Sequence, residues 1–210
     1  MTIFLTSTLF VLLVFQILGK GMGCDMKVRG LDANMKKMIL DLHNKKRQTV
    51  ANGQQSGQPS AANMKELHWD DQIAANAQRS AETCVFQHTA KNLRKTSKYS
   101  YLGENIYMGS YPDPIPRSVN AWYDEVKDVT PAVVKSFRSG GPMIGHYTQM
   151  VWANTEALGC GLVTASDKNT YIFCQYGPSG NYPGEPIYKQ GSPASDCKKG
   201  KSSKYPGLCN

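Results

Sequence analysis

The chain carries no HExxH helix, no GxSxG elbow and no glycine-rich phosphate loop, so the common signatures of zinc peptidases, serine hydrolases and nucleotide-binding enzymes are missing. It has no CxxC pair, which argues against a structural zinc site. No Asn-x-Ser/Thr glycosylation acceptor occurs, and no internal repeat. Beyond the first eighteen residues no apolar run is long enough to span a bilayer. Histidine is scarce, with four in 210 residues, so each must be accounted for on its own. No nucleic-acid-binding motif accompanies the positive charge, which excludes that class of partner.

What is present begins with a leader. Ile3 to Leu18 is almost wholly apolar, broken by Thr6, Ser7, Thr8 and Gln16, and small residues Gly19, Gly21 and Gly23 follow. This reads as a secretory signal peptide over residues 1–23, with cleavage after Gly21 or Gly23. All six cysteines lie after it, and an even count in an exported chain implies an oxidised framework. Six cysteines allow about 15 connectivities, and the sequence alone does not choose among them. Antiparallel strands joined by a short turn favour Cys160 with Cys174, and the expected arrangement of the rest has Cys197 and Cys209 closing the tail and Cys24 tying the N-terminus to Cys84. The formal charge is +8, and losing the leader removes only Lys20, leaving +7. A basic surface suits anionic membranes, glycans or acidic proteins without choosing among them.

Asp32 to about Gln48 has the pattern of a first helix, capped by Asp32. Met35, Met38, Ile39 and Leu42 form its apolar stripe, and Lys36, Lys37, Lys45, Lys46 and Arg47 crowd the polar side. His43, beside Leu42, reads as structural. A Gly/Gln/Ser/Pro loop covers 53–62. Asp70 or Asp71 caps a second helix that runs into Cys84, and its small face (Ile73, Ala74, Ala77, Gln78, Ala81) predicts a closely packed neighbour. Tyr101 to Met108 is apolar except for Glu104 and Asn105, and a carboxylate in such a run needs partners or a function. Three prolines make 111–116 an irregular loop; Ser118 then caps a short helix on which Glu125 shares a face with Trp122. Gly140, Gly141, Pro142 and Gly145 form a loop delivering His146. Leu158–Val163 and Tyr171–Pro178 read as strands around a turn at 166–169. The chain after Cys174 is Pro/Gly/Tyr-rich, then lysine-rich, with little regular structure.

Two histidines and two glutamates stand apart from any charge run: His88, Glu104, Glu125 and His146. They lie in recognisable company. Gly145-His146-Tyr147-Thr148-Gln149-Met150-Val151-Trp152 and Phe173-Cys174-Gln175-Tyr176-Gly177-Pro178-Ser179-Gly180-Asn181-Tyr182 resemble the two signature motifs of the CAP superfamily. That group holds the cysteine-rich secretory proteins, antigen 5 allergens and plant pathogenesis-related proteins. Leu40–Arg47, Cys84–Thr89 and Gly103–Ile106 fit its other motifs in order. The resemblance covers about residues 32–182, and the tail and cysteine count look most like the arthropod venom allergens.

The resemblance implies an α+β fold: a three-layer, disulfide-stabilised α-β-α sandwich with a central antiparallel sheet. It divides the chain into a CAP domain at 24–182 and a disulfide-pinned extension at 183–210. It implies that His88, Glu104, Glu125 and His146 meet in one large cleft. It also implies a monomeric, secreted, non-enzymatic effector of venom or saliva, often allergenic, acting on a host protein or lipid. The cysteine-dense module with which vertebrate venom members contact ion channels has no counterpart here, so channel blocking is not expected. The residues add a weak site for Zn²⁺ or another divalent metal at His88 and His146, with Glu104 and Glu125 completing or orienting it. One alternative is a metal-dependent endoprotease or hydrolase, with Glu104 or Glu125 activating water; it lacks an identifiable nucleophile, since no cysteine is left over and Thr89 is merely adjacent to His88. Another is a sterol or lipid carrier, using the aromatic, proline-rich segment 107–122.

Overall fold

Helix α1 (Ala33–Ala51) starts where the Asp32 side chain accepts the Met35 N–H at 2.8 Å. The computed structural model describes residues 24–210, so the signal-peptide expectation lies outside the described residues. The buried face of α1 is not the methionine stripe: Met38 is 46% exposed, while Ile39, His43, Asn44, Arg47 and Val50 are buried. Arg47, expected on the polar side, is fully enclosed because its guanidinium is satisfied by four backbone carbonyls. Lys65, Met150, Trp152 and Thr155 supply them, at 2.8–3.1 Å. Burying a cation is tolerable only with such compensation. Hydropathy on α1 gives no sign of it, because the partners lie far along the chain.

The sheet contains β1 (Met26–Arg29), β2 (His68–Trp69), β3 (Gly103–Gly109), β4 (Ala157–Ala165) and β5 (Thr170–Gly177). The order is β1-β4-β5-β3 with antiparallel pairing; only the two-residue β2 runs parallel, alongside the start of β4. β3 is therefore an edge strand. Helix α2 (Asp71–Ala81) covers one face, capped by Asp70, whose carboxylate accepts the Ile73 N–H at 2.9 Å. It stops at Ala81 rather than running into Cys84, which takes a left-handed φ of 53°. The opposite face is covered by α1, α3 (Pro114–Tyr123) and α5 (Gly145–Met150). The architecture is thus an α-β-α sandwich.

The small residues of α2 meet glycines. A Cβ on Gly159 would lie 2.2 Å from the Ala74 backbone nitrogen, and one on Gly161 would lie 2.3 Å from the Gln78 Cα. Between them Cys160 points the other way and pairs with Cys174 directly across the strands, Cα to Cα 4.1 Å. Cys24 is bonded to Cys84 and Cys197 to Cys209, which leaves no free thiol.

Three local expectations differ from the structure. Residues 111–116 are not all loop, because α3 begins at Pro114 and contains Pro116. The first helical positions have no intrahelical use for an N–H, so proline costs nothing there. Ser118 is consequently inside α3, bonding its hydroxyl to the Ile115 carbonyl at 2.9 Å, not capping it. Glu125 sits on the following 3₁₀ turn (Asp124–Asp128) rather than on the helix. α4 (Pro131–Lys135) leads into the glycine loop. Residues 183–210 carry no helix or named strand but are laced into the body: Ala153 N–H bonds Ile187 O, Ala62 N–H bonds Lys189 O, and Cys209 N–H bonds Met64 O, each at 2.8 Å. Ile187, Tyr188 and Leu208 belong to the same core as α1 and β4.

Candidate functional site

His146 is carried by a helix, not delivered by a loop. It occupies the first turn of α5, whose preceding residue Ile144 offers no capping side chain. The cap comes from elsewhere in the chain. One oxygen of Glu125 accepts the backbone N–H groups of His146 and Tyr147 at 2.9 and 3.0 Å, and its other oxygen accepts from His146 Nδ1 at 2.6 Å. The carboxylate thus satisfies orphan donors where an anion is favoured and fixes the imidazole in the same act.

His88 lies on irregular chain after the Cys24–Cys84 bridge and is held by Glu104. Glu104 Oε1 accepts from His88 Nδ1 at 3.0 Å and from Thr89 N–H at 2.9 Å, while Oε2 accepts from Gln175 Nε2 at 2.8 Å. Burial alone would raise the Glu104 pKa; the bonds from His88, Gln175 and Thr89 outweigh it and hold the carboxyl below its ordinary value. Thr89 spends its hydroxyl on Ser80, at 2.8 Å.

Edge strand β3 joins the two pairs. Successive residues of a strand face opposite sides, so Glu104 turns toward α2 and Asn105 toward α1 and α5. Asn105 Nδ2 donates to the His146 carbonyl and to the Tyr176 hydroxyl, both at 3.1 Å. Tyr176 in turn bonds His43 Nε2 at 2.9 Å, and His43 Nδ1–H donates to the Ile39 carbonyl at 2.7 Å. Burial pushes His43 down to about 4. It is therefore a neutral structural link with no open nitrogen.

The four sequence-selected residues thus form two carboxylate–imidazole pairs bridged by β3. A cleft of about 530 Å³ is lined by His88 and Glu104 together with Arg94, Gln149, Gly180 and Tyr182; His146 and Glu125 are not in its lining. Gly103, at its base, has no room for a Cβ, which would lie 2.0 Å from Gln149 Oε1. In each pair the Nδ1 side is taken by glutamate, and neither Nε2 has a hydrogen-bond partner among the described residues. Among those residues no three His, Cys, Asp or Glu side chains gather as a metal site. Sequence reasoning missed Asn105 and Gln175 as the groups that position the pairs. Gln175 was traceable in principle, since it stands directly across from Glu104, but only once the β3–β5 register is known.

The chain matches the family described as CAP, cysteine-rich secretory protein family, over residues 40–176. It is 89% identical over 210 residues to Scoloptoxin SSD976 of Scolopendra dehaani, covering 100% of both chains. It is 37% identical to Venom allergen 5 of Tityus serrulatus, covering 91% of this chain and 51% of that one. Among solved structures it resembles NaASP2 with Zn²⁺, with a TM-score of 0.74 and 35% identity, over 90% of this chain and 100% of that one.

Proposed function

Because the chain belongs to the CAP family of cysteine-rich secretory proteins, we propose that it is a secreted, non-enzymatic venom effector whose paired histidines bind a divalent metal weakly. Its likeness to scoloptoxins and to a scorpion venom allergen supports the venom and extracellular parts of this reading. One observation carries the non-enzymatic part. Each glutamate accepts three hydrogen bonds from protein donors, with both oxygens engaged, and the Glu104 side chain is fully buried and that of Glu125 nearly so. Both carboxylates are thus committed to holding an imidazole rather than presented to a water. No thiol is free, and the Thr89 hydroxyl is committed to Ser80. The carrier reading is weaker, because Ile115, Val119 and Trp122 of segment 107–122 are spent on the core.

The residues fit a metal in a limited way. His88 and His146 would supply Nε2, Glu104 and Glu125 would orient the rings from behind, and water would complete the shell. Bound there, the metal would act as a Lewis acid. That a structural relative, NaASP2, was solved with Zn²⁺ supports metal binding as such. With two protein ligands, fewer than the three usual for catalytic zinc, binding is loose and exchangeable. The non-enzymatic reading is tested by incubating the purified protein with a peptide library, with and without added zinc. No turnover is expected; cleavage that disappears in Glu104→Gln would convert the assignment to a hydrolase.

A further inference from the structure

Two arginines are buried in this molecule, and they are treated differently. Arg47 is enclosed with four carbonyl acceptors on its guanidinium. Arg94 is 8% exposed, and its Nε is enclosed without a hydrogen-bond partner. No carboxylate among the described residues lies within ion-pair distance of it. Its guanidinium carbon lies 4.9 Å from the ring centroid of Tyr101. The enclosed, unpartnered Nε is costly, whereas the terminal nitrogens are not among the enclosed atoms and the side chain lines the cleft, where an acceptor could reach the guanidinium.

The backbone that presents Arg94 is held on every side. Asn76 Nδ2 donates to the carbonyls of both neighbours, Leu93 at 2.9 Å and Lys95 at 2.8 Å. Arg94's own carbonyl accepts the Leu102 N–H at 2.9 Å, at the entry to β3. The side chain lines the cleft together with Lys91, an exposed lysine with no ion pair among the described residues. The cleft's one carboxylate, Glu104, accepts from His88, Thr89 and Gln175 and makes no ion pair with Arg94. Gln149 and Asn181, on the opposite wall, are likewise spent on internal bonds.

From this we infer that Arg94, assisted by Lys91, is a preorganised subsite for an oxyanion, so that the cleft takes a ligand bearing a carboxylate, sulfate or phosphate group. Guanidinium is the side chain suited to such a group, since its planar fork matches two oxygens at once. The subsite does not require a metal at the histidines, and it is tested in chelator so that the two assignments fail separately.

The experiment follows Tm against concentration of sodium sulfate, phosphate and acetate at constant ionic strength, in EDTA. Wild type, Arg94→Met, Arg94→Lys and, as an exposed control, Arg79→Gln are compared. Wild type and Arg79→Gln are expected to show a saturable rise in Tm with at least one anion; which anion works distinguishes a carboxylate from a tetrahedral ligand. Arg94→Met should bind roughly tenfold more weakly or not at all, and without anion its Tm should equal or exceed that of wild type. If Arg94→Met does not fold, Arg94→Lys replaces it and should bind several-fold more weakly, because the fork is lost. The inference is overturned by a wild type that shows no saturable response to any of the three. It is equally overturned by indistinguishable responses of wild type and the Arg94 variants, or by an anion-free Arg94→Met that folds but melts well below wild type.

Discussion

At the residue scale the protein is built on groups that must hold one protonation state, and two of them titrate in separate windows. The folded pKa of His43 is depressed from 6.5 to about 4 by burial, so the unfolded chain binds the extra proton first. Its stabilising effect is complete above pH 6.5 and is lost as pH falls toward 4. Glu104 is lowered from 4.5 by its three donors, so its contribution is present above pH 4.5 and is lost only below it. Thermal melts from pH 8 to 3 should show both losses. His43→Gln is expected to flatten the upper window and leave the lower one; Glu104→Gln should do the reverse. A profile in which neither variant changes the slope of its own window would remove this assignment. Polar residues were also where the sequence was least legible. Arg47 looks like an ordinary surface charge in the chain, and what lets it be buried is a set of carbonyls supplied by segments remote in sequence.

At the element scale the sequence was more informative, because period and composition are local. Asp32 and Asp70 cap the helices that their positions announce, and the small face of α2 does meet a close neighbour. That neighbour, the pair Gly159 and Gly161 on β4, could not be named without the register. Placing a methyl at either glycine drives it into α2 backbone, which cannot swing aside. Gly159→Ala and Gly161→Ala are each expected to cost about 2 kcal/mol or more in denaturant unfolding. Gly145→Ala serves as a comparison, since its Cβ would meet only Asn181 Nδ2 at 3.7 Å; its cost should stay within about 0.5 kcal/mol. Equal costs at all three positions would contradict the close packing of α2. The elements misread from sequence were short ones: α5 is six residues long and owes its first turn to Glu125, a cap twenty-one residues earlier in the chain.

At the scale of the whole molecule the extension at 183–210 is expected to unfold with the sandwich rather than before it. Its Ile187, Tyr188 and Leu208 complete the core around α1 and β4, and the Cys197–Cys209 bridge closes it. Replacing both cysteines by alanine should cost about 3 kcal/mol while leaving one transition; an early, separate melt of the tail would refute a single cooperative unit. The same global assembly ties two histidines, 58 positions apart in sequence, to adjacent residues of one edge strand, His88 through the Glu104 carboxylate and the His146 carbonyl through Asn105, each with Nδ1 engaged and Nε2 open. Whether those nitrogens hold a metal is decided most directly by calorimetric titration of Zn²⁺ into wild type and a His88→Ala, His146→Ala double variant, at pH 7.5 and pH 5. Zinc and protons compete for neutral imidazole. The expected result is weak, saturable binding by wild type at pH 7.5, diminished at pH 5 and absent in the variant, with little change in Tm on chelation. Equal binding by wild type and variant, or a large fall in Tm when the metal is removed, would contradict it.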